Sequence, residues 1–89
     1  MQVIWKYKLT ESPIQAIRMP LGAKFLKLDL QNGKPCMWFI VPNDETTSIF
    51  FTFRIYSTGE PILKDLKDWL YIGTYEIDGF VSHVFGELY

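Results

Sequence analysis

A chain of 89 residues, 48% apolar and 17% aromatic, buries only about 60–65% of the surface its unfolded form exposes, so its core is modest and part of the apolar surplus is expected at contacts. Nine Lys and Arg against ten Asp and Glu leave a net charge of −1, which provides no excess of positive charge for displacing counterions and argues against a nucleic-acid duplex as the main partner. The single cysteine, Cys36, cannot form an intrachain disulfide and sits in an apolar run where a thiol behaves as a small hydrophobe.

In chain order, Val3 to Leu9 alternates Val3, Trp5, Tyr7 and Leu9 with Ile4, Lys6 and Lys8, the period of a strand with one face more deeply buried. A second short strand runs from Ile14 to Arg18 and stops at Met19-Pro20-Leu21-Gly22, where proline presets a turn and glycine relaxes it. Phe25 to Gln31 alternates Leu26, Leu28 and Leu30 with Lys27 and Asp29 and meets Asn32-Gly33, the pair preferred in a tight hairpin. The returning strand, Pro35 to Val41, is apolar on both faces, which places it centrally or covers it on each side.

Ile49 to Tyr56 is a long strand with Phe50, Thr52, Arg54 and Tyr56 on its second face. After the break at Ser57-Thr58-Gly59-Glu60-Pro61, Leu63, Leu66 and Leu70 recur at three-to-four spacing and predict one short helix over Ile62 to Leu70, lying over an open end of the sheet. Tyr71 to Ile77 and Phe80 to Leu88 then form a second hairpin around Asp78-Gly79. Six or seven strands with one short helix predict a mainly β chain: a small antiparallel β-sandwich or a partly open barrel, one domain over residues 1–89.

No spacing of catalytic or metal-ligating residues stands out, and no cofactor motif is present. His83 is the one histidine and reads first as a half-buried structural imidazole, with a general base as the alternative. Cys36 lies in the apolar stretch Pro35-Cys36-Met37-Trp38, which holds no cation to activate its thiol. Arg54, Tyr56, Ser57, Thr58 and Gly59 bring a guanidinium, a phenol, two hydroxyls and a flexible backbone together, a mixture able to grip phosphate or carboxylate. The alternative reading is a strand end and a turn whose hydroxyls cap the helix. Trp5, Tyr7, Trp38, Tyr56, Trp69, Tyr71, Tyr75 and Tyr89 are too many rings for so small a core, which predicts half-burial on a sheet, a homo-oligomer interface or a ligand pocket.

Ile17 to Leu26, Gln31 to Trp38, Phe53-Arg54-Ile55-Tyr56-Ser57-Thr58-Gly59, Tyr71-Ile72-Gly73-Thr74 and His83-Val84-Phe85 together resemble a family of short uncharacterised proteins encoded by tailed bacteriophages and prophages. Where members often carry histidine after the Thr-Gly step, this chain has Glu60. The resemblance implies a phage accessory protein more than any reaction, and small size, abundant aromatics and the lack of catalytic groups lead to the expectation of a non-enzymatic one in the cytoplasm of the bacterial host. Its expected role is to antagonise defence, by sequestering a nucleotide immune signal or by capping a host protein. In the first case Trp38 or Tyr56 would stack on the base while Arg54 and the Ser57–Gly59 turn hold phosphate, with His83 nearby. A virion or assembly component is the rival, and an enzyme ranks last. The opening Met1 to Lys6 lacks the apolar stretch of a secretion signal, and the longest apolar run elsewhere, Cys36 to Pro42, is far short of the ~20 residues that span a bilayer.

Overall fold

The computed structural model describes residues 1–88, and Tyr89 lies outside the described residues. Seven strands appear: β1 (Gln2–Lys8), β2 (Ile14–Pro20), β3 (Lys24–Gln31), β4 (Lys34–Pro42), β5 (Ser48–Ser57), β6 (Leu70–Ile77) and β7 (Phe80–Glu87). They form a three-stranded sheet, β1-β4-β3, and a four-stranded sheet, β2-β5-β7-β6, in which every pairing is antiparallel.

Both tight hairpins form where the sequence places them. Asn32 and Gly33 take φ of 53° and 75°, and Asp78 and Gly79 take 52° and 82°, the positive pair of a type I′ turn whose twist matches the flanking strands. β4 is the central strand of its sheet, in keeping with its two apolar faces. Its Met37, Phe39 and Val41 are fully buried and meet Phe51, Phe53 and Val84 of the other sheet in one core. Phe39 is the hub, with Tyr7 and Phe25 edge-on at 5.7 and 5.5 Å, a geometry that aligns the positive ring edge with the negative face.

The two sheets face each other as an open sandwich. β3 and β6 approach closely along one side, where a Cβ on Gly73 would lie 3.2 Å from Leu28 Cδ2 and where φ is 153°. The glycine permits this approach, yet no ladder joins the two strands, so the sheets do not close into a barrel.

The expected helix over Ile62 to Leu70 is absent. Residues 58–69 form an irregular strap between β5 and β6, and three causes act together. Nine residues are too few to hold a helix without a buried face. The three leucines share no such face, since Leu63 is 95% exposed and Leu70 already belongs to β6. The Asp65 carboxylate accepts from the Lys67 amide at 3.0 Å, a local bond that competes with helical pairing. Topology explains the strap's course: β6 runs parallel to β5 with β7 between them, and such a crossover needs about a dozen residues. The strap therefore covers a sheet surface rather than an open end.

Candidate functional site

Strand alternation fixes two outward faces. On the four-stranded sheet, Arg54 shares a cross-strand row with Phe85 and Tyr71, and Tyr56 shares the next with His83 and Thr74. The rings of Tyr56 and Tyr71 meet Phe85 edge-on at 6.0 and 5.2 Å. Trp69, at the end of the strap, lies against Arg54, with the guanidinium carbon 5.6 Å from the ring centre. Lys64 Nζ stands 5.8 Å from the same ring. This packing buries Tyr56 and leaves Arg54 Nε buried with no hydrogen-bond partner among the described residues.

His83 is engaged on both sides. Its Nε2 is 2.7 Å from the Thr58 hydroxyl, and its Nδ1 is 3.0 Å from the Tyr71 hydroxyl and 3.1 Å from that of Thr74. Tyr71 and Thr74 are also hydrogen-bonded to each other. All its partners among the described residues are neutral hydroxyls, and through them the imidazole ties the strap and β6 to β7.

The turn expected to grip an anion is closed by the chain itself. The Ser57 amide donates to the Glu60 carboxylate at 3.0 Å, and the Glu60 amide donates to the Ser57 carbonyl at 3.0 Å. Gly59 supplies a φ of 87° at the tip, and the Thr58 amide donates to the Val81 carbonyl at 3.1 Å. The hydroxyls cap no helix, because none follows.

Arg54, Tyr56, Ser57, Thr58, Gly59 and His83 are therefore neighbours on one sheet, but Trp38 is not among them. It lies on the outward face of the three-stranded sheet, opposite Lys6 on β1 and Lys27 on β3. A single site built from Trp38 and Arg54 does not form within one subunit, because the core separates their faces.

The surroundings of Trp38 make a second candidate surface. Ile4, 60% exposed, and Leu26, 45% exposed, line a shallow trough of about 360 Å³ with Trp38 and Lys27. Ile40 pairs with Ile4 beside them. An irregularity between Phe25 and Lys27 inserts Leu26 as an extra residue and turns it outward, while Leu28 packs on the core. The register puts Lys6, Lys8, Lys24, Lys27 and Lys34 on this outward face, with Asp29 as its one carboxylate. Lys27 and Asp29 pair at 3.1 Å, and the hydrogen bond from Lys27 holds the Asp29 carboxyl below its ordinary range. Lys6 donates to Gln31 across the central strand.

The family described as "Domain of unknown function (DUF7352)" matches residues 1–88. The chain belongs to that family. No curated protein and no solved structure matches it. The DUF7352 match spans all seven strands, so the strap cluster and the lysine face both fall within it.

The two faces differ in chemistry. The strap face has its polar groups largely satisfied internally. The lysine face presents exposed apolar side chains among ammonium groups, which suits contact with an apolar group flanked by carboxylates. Two features of these faces escaped sequence reading: Trp69 as the cover of Arg54, and Lys24 and Lys27 as members of one face. Lys6 and Lys8 were visible from their alternation with Trp5 and Tyr7, but the β3 lysines needed the register.

Proposed function

We propose that this protein is a non-enzymatic binding module that docks an acidic segment of a partner protein on the outward face of β1-β4-β3. The observation that carries the reading is the face itself, with Ile4, Leu26, Trp38 and Ile40 exposed or half-buried amid five lysines and one carboxylate. Three strands spaced about 4.8 Å apart give a platform roughly 10–15 Å wide, the breadth of one helix or extended segment. An apolar side chain of the partner fills the trough beside Trp38, and its carboxylates meet the ammonium groups. Among the roles implied by the resemblance to phage proteins, capping a host protein fits this surface. Sequestering a nucleotide has less support within one subunit, since Trp38 lies on the sheet away from Arg54 and Tyr56, beside Arg54, is buried.

Self-association belongs to the same proposal and uses the other sheet, because a second copy of the lysine face repels the first. Phe50, 59% exposed on the outward face of β5, is its apolar anchor.

The test is affinity capture from phage-infected cells with the wild type, Trp38→Ala and the double variant K24E/K27E, followed by calorimetry on the purified partner. The reading expects an acidic partner whose binding falls at least about tenfold, or 1.4 kcal/mol, in both variants and weakens with added salt. A partner held equally by the variants, or none at all, overturns it. Recovery of the protein from purified virions instead supports a structural component.

A further inference from the structure

A cavity of about 380 Å³ lies at the end of the sandwich where the chain leaves β1. The strap crosses the outer face of the four-stranded sheet and does not cover this end. Leu9, Pro35, Tyr75 and Ile77 supply apolar and ring surface to its wall. Lys8 and Lys34 line it too, and neither ammonium makes an ion pair among the described residues.

Beside it is a second cavity of about 350 Å³, which shares Glu11, Tyr75 and Ile77 and adds Glu60 and Asp78. Three carboxylates and no cation line that neighbour, so it repels anions. The first has two cations against the single Glu11 carboxylate. Its volume lies within the roughly 300–1,000 Å³ of small-molecule sites, and its mixture of apolar wall and few charged groups is of the same kind.

We propose that this cavity binds a small amphipathic anion, an apolar body carrying one carboxylate or phosphate. The body lies on Leu9, Pro35 and Ile77, and the head group lies toward Lys8 and Lys34, away from Glu11. The site adjoins the docking face, whose register also includes Lys8 and Lys34, but it does not use Ile4, Leu26, Trp38, Lys24 or Lys27.

The test is a nitrogen-15 amide NMR titration of the full chain with octanoate and, separately, with phenyl phosphate, which distinguishes a carboxylate from a phosphate head. Saturable shifts at the Leu9, Gly33 and Ile77 amides are expected for at least one of them. K8E/K34E weakens binding at least about tenfold, Glu11→Gln tightens it, and K24E/K27E leaves it unchanged. Thr10→Trp, which fills the cavity from an exposed position, abolishes the shifts even if the lysine variant fails to fold. Absence of saturable shifts with both probes, shifts confined to Ile4 and Trp38, or full binding by folded K8E/K34E overturns the proposal.

Discussion

Trp69 and Arg54, fifteen positions apart in sequence, are held together by a cation–π contact of 5.6 Å that fastens the irregular strap to the four-stranded sheet. Removing either partner should have unequal consequences. Trp69→Ala removes a half-buried ring and uncovers the guanidinium, and should cost about 2–4 kcal/mol. Arg54→Met loses the cation–π contact but also removes a buried donor with no partner among the described residues, so its cost should stay under about 1 kcal/mol. Urea unfolding of the two variants checks the difference, and equal losses would show that the ring does not act as a cover.

His83 should behave as a tie rather than a base. His83→Ala breaks its contacts to Thr58, Tyr71 and Thr74 and should destabilise the fold by about 1–3 kcal/mol. Amide exchange should quicken in residues 58–69 more than in β4, because the lost contacts anchor the strap. Uniform loosening of both sheets would argue against this role.

Most of the fold was legible in the sequence because its strands are short, alternating and bounded by strong turn pairs. Asn32-Gly33 and Asp78-Gly79 each required positive φ at both positions, and each produced its hairpin. The helix over Ile62 to Leu70 was misread because leucine spacing reports a possible face without showing that anything covers it. The strap instead follows from sheet order, which is non-local. The grouping of Arg54, Tyr56 and Thr58 was readable from proximity, but that His83 joins them depends on the pairing of β5 with β7, which is non-local. The separation of Trp38 from them was not, since it depends on which sheet each strand joins. Lys24 and Lys27 lie on one face only because Leu26 interrupts the alternation between them, and no local pattern announces that.

Tyr7 links the core to pH. Its hydroxyl is buried without a partner among the described residues, and burial raises its pKa above the ordinary 10.0. A folded-state pKa above the unfolded one means that its contribution is fully present below pH ~10 and is lost as pH rises through the folded value. Tyr7→Phe should therefore flatten the alkaline edge of the stability profile. It should also leave neutral-pH stability unchanged or raise it by about 1 kcal/mol, since an unpaired hydroxyl is removed without loss of the ring. Thermal melts between pH 8 and about 11 check both parts.

Gly86 tests how tightly the inner face of the four-stranded sheet packs. A Cβ there would stand 3.0 Å from Phe53 Cε1 and 3.2 Å from Ile72 Cδ1, inside a core with no slack around Phe53. Gly86→Ala should cost about 1–3 kcal/mol through overpacking, measured by the urea midpoint. A neutral outcome would mean that the Phe53 ring can move aside.

Light scattering examines the proposed self-association. The wild type should return a multiple of the 10.5 kDa chain mass, and Phe50→Glu should return a single chain. A wild-type monomer would remove this part of the proposal.

The crowding of lysines onto one side gives the molecule an orientation as well as a surface. That side carries a surplus of four positive charges, and with a net charge of −1 overall the remainder of the chain carries five negative ones. In solution the protein is thus a dipole, turned by the field of an oppositely charged body before touching it. Dilute electrolyte should speed its encounters far more than it slows its departures.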